Sequence, residues 1–351
     1  MSTRALRWLD PPAGPAVVLL DQTRLPAEEA YLTCADVASL DDAIRRLVVR
    51  GAPLLGLAGA YGVALAAYRG EDVAAAAATL TRSRPTAVNL GWGAARALAA
   101  CQRAQRDATT PADTQRLPAQ AALAEARAIA AQGLALVPPG ARILTHCNTG
   151  ALVSAGEGTA FAIILAAHRA GRLAQLWVDE TRPLLQGARL TAYEAARAGL
   201  PYAVLPDAAA ASLLAAGQVD LVLTGADRVA ADGSVANKVG TYGLAVLARH
   251  HQVPFVVAAP LSSVDFAAAD GAAIVVEHRP AAEVTSFAGF PVAPAGSDAY
   301  NPAFDVTPAA LVTALVTERG LARPVNAGTL RLLGTQRAAG VAAPVIASVE
   351  R

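Results

Sequence analysis

The chain has 351 residues, just over half of them apolar, more than one hydrophobic core usually holds, so two domains are expected. Its 29 basic and 28 acidic residues nearly cancel and form no basic block, which argues against a nucleic-acid partner. Cys34, Cys101 and Cys147 make no CxxC pair and no Cys/His cluster, so no metal site is expected and the thiols fit a reduced, cytoplasmic protein.

The opening residues MSTRALRWLDPP contain no apolar core of the kind a secretory signal needs. Leu6–Leu20 suits a short hairpin turning at PPAG. Asp36–Tyr68 and Thr86–Ala104 read as helical, the second opening after Pro85. Within the first, Gly51–Tyr68 is uncharged and nearly long enough to span a bilayer, but it is rich in Gly, Ala and Pro. A buried, tightly packed helix is expected there, and no membrane partner. The polar stretch Arg106–Thr114 and nearby Pro118 read as a loosely packed connection. Residues 1–138 are therefore expected to be a mainly helical N-terminal domain with a short β-hairpin.

From Ala141 the chain changes rhythm. ARILTHCNTG, AQLWVDE, LPYAVLP, VDLVLTGAD, VPFVVAAP and AAIVVEH are short apolar runs that each close on polar, Gly or Pro residues. Ala-rich helical stretches lie between most of them, among them Thr159–Ala170, Arg189–Ala198 and Thr241–His251. The alternation predicts an α/β architecture, with a doubly wound, Rossmann-like parallel-sheet domain over residues 139–351. Ligands of such sheets sit beyond the carboxyl ends of the strands, where the polar residues cluster here. The tail after Pro324 shows little pattern.

Three segments carry candidate chemistry. In ILTHCNTGALVSAGEGTA (Ile143–Ala160), a strand ends at Cys147 and a Gly-bearing loop leads into a helix. Such a loop suits a phosphate and favours a thiolate, although a free cysteine is more often merely buried. In LVLTGADRVAADGSVANKVGTYG (Leu221–Gly243), Asp227 follows a strand, and Asn237 and Lys238 precede a helix. Asp227 could trade protons with a sugar oxygen and Lys238 hold an anion; an ion pair of Asp227 with Arg228 or Lys238 is the structural alternative. In LWVDETRPLLQGARLTAYE (Leu176–Glu194), the charges at a strand end fit acid/base work, a solvated salt-bridge cluster or contacts with a partner subunit. The helical part adds Arg50 and Arg84, each ahead of a Pro-marked turn into a helix, where two arginines could grip one phosphate.

RGAP, RPTAVNL, THCN, DETRPLLQGARLTA, GADR and VANKVGTYG occur in one order that resembles the 5-methylthioribose 1-phosphate isomerases. That family is grouped with the α, β and δ subunits of the initiation factor 2B exchange factor. The resemblance runs from LLDQTRLP to NPAFDVTP and implies Cys147 and Asp227 as the catalytic pair. It also implies substrate contacts from Arg50, Gly51, Ala52, Arg84, Gln186, Asn237 and Lys238, and a homodimer. Glu157 stands where a tyrosine is expected in the nearest relatives, which puts an acid beside the proposed catalytic loop.

The implied reaction converts 5-methylthioribose 1-phosphate into its ketose, with no metal or redox cofactor. Two alternatives share the motifs: an isomerase of ribose 1,5-bisphosphate or of a 5-deoxypentose 1-phosphate, and a non-catalytic exchange-factor-like regulatory subunit. The joint presence of Cys147 and Asp227 favours an enzyme.

Overall fold

A computed structural model describes residues 5–84, 87–106, 116–154, 156–287 and 289–335. Strands β1 (Leu6–Leu9) and β2 (Ala16–Leu20) are the expected hairpin, and β3 (Tyr31–Cys34) adds a third antiparallel strand. The four residues of β3 carry too short an alternation to stand out from sequence.

Helices α1 (Val37–Arg45), α2 (Ala52–Tyr68), α3 (Val73–Ser83), α4 (Val88–Arg106) and α5 (Arg116–Leu134) follow. The stretch expected to be helical from Asp36 to Tyr68 is two helices. Asp36 and Ser39 close a capping box on α1, and α2 starts afresh at Gly51, whose φ of +89° suits glycine. Helix α2 is apolar on every side and almost wholly buried, packed among α1, α3 and α4. An all-round apolar helix can be stable only inside something, and here it is the centre of the first core. Among the described residues no helix is long and apolar enough to cross a membrane. Pro85, Thr86 and most of the expected connection around Arg106–Thr114 lie outside the described residues. Pro118 belongs to the first turn of α5, which Ile129 anchors against the second, sheet-centred core.

The second part runs β4 (Ala141–Thr145), α6 (Ala160–Arg169), β5 (Leu173–Asp179), a π-helical turn at Gly187–Thr191, α7 (Ala192–Arg197), β6 (Tyr202–Leu205), α8 (Ala210–Ala215) and β7 (Leu221–Thr224). It continues through β8 (Arg228–Ala230), β9 (Val235–Lys238), α9 (Thr241–His250), β10 (Phe255–Ala258), β11 (Val264–Asp265) and α10 (Ala282–Thr285). The last elements are β12 (Ser286–Phe287), β13 (Phe290–Pro291), β14 (Phe304–Thr307), β15 (Ala314–Thr317), β16 (Gly320–Ala322) and α11 (Ala327–Thr335). The large sheet has the order β16-β15-β10-β7-β4-β5-β6 and is parallel except at β16, so the doubly wound α/β reading holds.

One expected strand is absent. AAIVVEH forms a short 3₁₀ turn and an irregular segment, with Val275 largely exposed. The place beside β10 goes instead to β15, which pairs in parallel through Val256 and Ala314. A second sheet, β11-β8-β9-β14, is built on a hairpin that turns at Asp232–Gly233. The tail is helical through α11, which buries Leu330 and Leu333; residues 336–351 lie outside the described set.

Candidate active site

Strand β4 has β5 on one side and β7 on the other. The chain steps from β4 outward through β5 and β6, then returns to β7 and winds the opposite way through β10 and β15. This reversal leaves a crevice beyond the carboxyl ends of β4 and β7, the usual ligand position in open α/β sheets. Cys147 lies just past the end of β4 and Asp227 just past β7. The N-terminus of α2 closes the crevice from the helical side, where Leu54 N–H donates to the Val153 carbonyl at 2.9 Å. Gly51 is needed for that approach: a Cβ there would sit 2.2 Å from the Val153 Cβ.

The resulting cleft holds about 750 Å³ of space open to solvent. All nine residues proposed from sequence line it: Cys147, Asp227, Arg50, Gly51, Ala52, Arg84, Gln186, Asn237 and Lys238. They come from five separate stretches of chain. Lys238 and Asn237 end β9, which reaches the cleft because its register with β14 sets Phe304 opposite Lys238. Gln186 precedes the π-helical turn, a local widening often found at functional sites.

Cys147 is held in a backbone conformation that cysteine rarely adopts, with φ of +65°. Two threonine hydroxyls pin it. Its N–H donates to Thr181 Oγ1 at 2.9 Å, and its carbonyl accepts from Thr191 Oγ1 at 2.6 Å. A strained residue so firmly tied has its side chain aimed by the fold. Its thiol meets Arg50, whose Nη2 lies 3.6 Å from Sγ.

Asp227 faces a different environment. Arg228 is taken by Asp265, so the sequence-level ion pair Asp227–Arg228 does not form. Burial pushes the Asp227 carboxyl above its ordinary pKa, against the pull of Arg50, Arg84 and Lys238. Burial also pulls the Lys238 ammonium below its usual range and lowers Arg84, which stands 3.6 Å from Glu277. Glu277 in turn holds Arg279, another cleft residue, at 2.7 Å. Sequence reasoning missed Arg279, because its segment was taken to lead out of a strand and not into the site.

The charges after β5 resolve as structure. His146 Nδ1 lies 2.9 Å from Asp179 Oδ2, and its Nε2 lies 2.9 Å from the Val239 carbonyl. Both ring nitrogens thus face acceptors. Burial alone would lower the ring's pKa, but the hydrogen bond and charge of Asp179 outweigh it and raise it, while burial also pushes the Asp179 carboxyl up. Asp207 lies close by, yet its two oxygens accept from the N–H groups of Thr181 and Arg182. The trio His146, Asp179 and Asp207 is therefore committed to fixing loops rather than to gripping an ion. Arg189 donates to the Gln22 carbonyl at 2.7 Å and ties the sheet to the first part of the chain. Arg182 donates to the Val284 carbonyl. Of this segment only Leu184 and Gln186 line the cleft.

Glu157 is a correction. It pairs with Arg169 at the end of α6, through contacts of 2.8 and 2.5 Å, and is absent from the cleft lining. Gly158 turns the chain at φ of +103°, and the carboxylate ends on the surface.

Comparison with known proteins follows the same lines. Residues 48–324 match the Initiation factor 2 subunit family. A protein of Pelotomaculum thermopropionicum named methylthioribose-1-phosphate isomerase is 50% identical over 327 residues, covering 89% of this chain and 90% of its own. One of the same name from Anaeromyxobacter dehalogenans is 52% identical, covering 92% and 95%. The crystal structure of 5-methylthioribose 1-phosphate isomerase from Pyrococcus horikoshii OT3 superposes with a TM-score of 0.85 at 36% identity, covering 95% and 96%. The structure titled translation initiation factor eIF-2B, subunit delta, from A. fulgidus gives 0.78 at 37% identity, covering 94% and 100%.

Proposed function

The chain belongs to the Initiation factor 2 subunit family, and on that premise we propose that it is an aldose–ketose isomerase converting 5-methylthioribose 1-phosphate to 5-methylthioribulose 1-phosphate. The observation that carries the reading is that Cys147 and Asp227 line one cleft, with three cations set around them. A regulatory subunit has no need of that arrangement.

The substrate's C1 is masked as a cyclic acetal-like phosphate, so the ring must open before hydrogen can move. Asp227, its pKa raised by burial, is the acid that gives a proton to the ring oxygen. The hydrogen on C2 then moves to C1, and the proton of the C2 hydroxyl returns to Asp227 as the ketone forms. Atoms balance and the acid is regenerated. Cys147, beside the Arg50 guanidinium, stands where it can assist the C2–C1 transfer. Arg50, Arg84 and Lys238 hold the phosphate together with the Ala52 N–H at the start of α2, where the helix dipole favours an anion. Gln186 and Asn237 complete the substrate contacts.

The C5 end is chosen by what else lines the cleft. Leu47, Pro53, Val153, Leu184 and Phe304 offer apolar surface for a methylthio group. Arg279 is already held by Glu277 and Glu283, which leaves no ready partner for a second phosphate. The enzyme works as a homodimer in the cytoplasm, with its helical part ending near residue 138. Exposed Phe290, Val292 and Tyr300 offer contact surface, and three free thiols suit a reducing compartment. The test is a competition among 5-methylthioribose 1-phosphate, ribose 1,5-bisphosphate and 5-deoxyribose 1-phosphate with the purified protein. The methylthio sugar should be converted with the highest kcat/KM; faster conversion of the bisphosphate would overturn the reading of the pocket.

A further inference from the structure

Asn148 follows Cys147, lines the cleft and is 4% exposed. Its amide nitrogen is fully used: Nδ2 donates to Glu194 Oε2 at 2.7 Å and to Thr191 Oγ1 at 3.2 Å. Its Oδ1 is buried and has no partner among the described residues. The orientation of the amide is set by what it faces. Thr191 has spent its only proton on the Cys147 carbonyl, so towards Asn148 it can only accept. Glu194 accepts the Leu152 N–H through Oε1 and meets Asn148 through Oε2. Two acceptors on one side require the NH₂ group there, which turns the oxygen the other way.

A buried amide oxygen without a partner is costly unless something supplies a donor. We propose that Asn148 Oδ1 accepts a hydrogen bond from a hydroxyl of the sugar, with Glu194 as the positioning residue that keeps the oxygen turned towards it. The assignment rests on the isomerase reading and adds a specificity contact to it: the site recognises a hydroxylated sugar through a neutral acceptor next to the catalytic cysteine. Glu194 belongs to α7, so the acid that orients this contact comes from a different crossover than Cys147 itself.

The test measures dissociation constants of the 2-deoxy and 3-deoxy analogues of 5-methylthioribose 1-phosphate, beside the parent sugar, in the wild type and in Asn148→Ala. Loss of one neutral hydrogen bond should weaken the parent sugar by about tenfold in Asn148→Ala. For one of the two analogues the variant should bind as the wild type does, because the donor is already gone. Purely additive losses for both analogues would overturn the assignment, since a loop merely loosened by the substitution weakens every ligand alike. Asn148→Asp is the second variant. It keeps an acceptor oxygen, and above about pH 7, where Glu194 is ionised in the wild type, one proton shared with Glu194 leaves the charge of the pair unchanged, so parent binding should recover to within about threefold there. Failure of Asn148→Asp to recover binding in a folded protein also counts against the contact. If the wild type neither binds nor converts the parent sugar, the functional reading fails, and this contact with it.

Discussion

Two acids lie at the carboxyl ends of strands of one sheet, buried Asp179 closing β5 and part-buried Asp227 just past β7, and their surroundings assign them opposite work. Asp179 gives one oxygen to a fully buried His146 whose other nitrogen is also taken, so the group is a closed clamp with only its Oδ1 left over. Asp227 faces three cations across an open cleft, beside an Arg50 Nη1 and a Gln186 Oε1 that have no partner among the described residues. The lesson is about satisfaction rather than charge. A buried acid bonded to a partner that is itself fully bonded inside the protein stabilises the fold; polar atoms left unbonded around an open cleft are arranged for something that arrives.

The sharpest break between the two should come from the conservative amide substitutions. Asp227→Asn, like Cys147→Ser, should lower kcat by about two to four orders of magnitude while the melting temperature stays close to wild type. Near-normal turnover by either variant would remove that residue from the chemistry. Asp179→Asn should do the reverse. It removes the charge and the acceptor that hold His146 in the core, at a cost of about 1–3 kcal/mol of stability in chemical denaturation. An Asp179→Asn protein as stable as wild type would mean that the clamp is not one.

Arg84→Ala tests the cleft from the phosphate side. It should raise KM by about tenfold or more with a smaller change in kcat, because a charge-assisted contact is lost. An unchanged KM would show that Arg84 serves Glu277 alone. Glu194 sharpens the comparison through pH. Burial raises its folded-state pKa from 4.5 to about 7. Between those values the folded chain holds the proton more tightly than the unfolded chain, so this group's contribution to stability falls as pH rises from about 4.5 to about 7. The stability of wild type relative to Glu194→Gln should therefore decline across that window, by on the order of 3 kcal/mol. A flat difference would mean that Glu194 ionises normally. The smallest effect belongs to Glu157→Tyr. With its carboxylate on Arg169 at the surface, the substitution should leave the ratio of kcat/KM values among the three sugars within about twofold of wild type. A larger change in the ratio would return Glu157 to the site.

What the sequence determined by itself was local. The α/β alternation, the burial of Gly51–Tyr68 and the nine candidate residues were all legible, because strand periodicity, helix starts and motif order are properties of short windows. The same windows misread AAIVVEH, since an apolar run says that burial is wanted but not which strand takes the place beside β10. They missed the Asp232–Gly233 hairpin that carries Lys238 to the cleft. They could not tell Asp179 from Asp227, both acids at strand ends, nor see that Glu157 turns outward. Those outcomes were decided only by the tertiary structure. The winding reversal at β4 brings the ends of β4 and β7 together, and packing fixes which buried polar atoms find partners inside the protein and which, like Asn148 Oδ1, are left without one among the described residues.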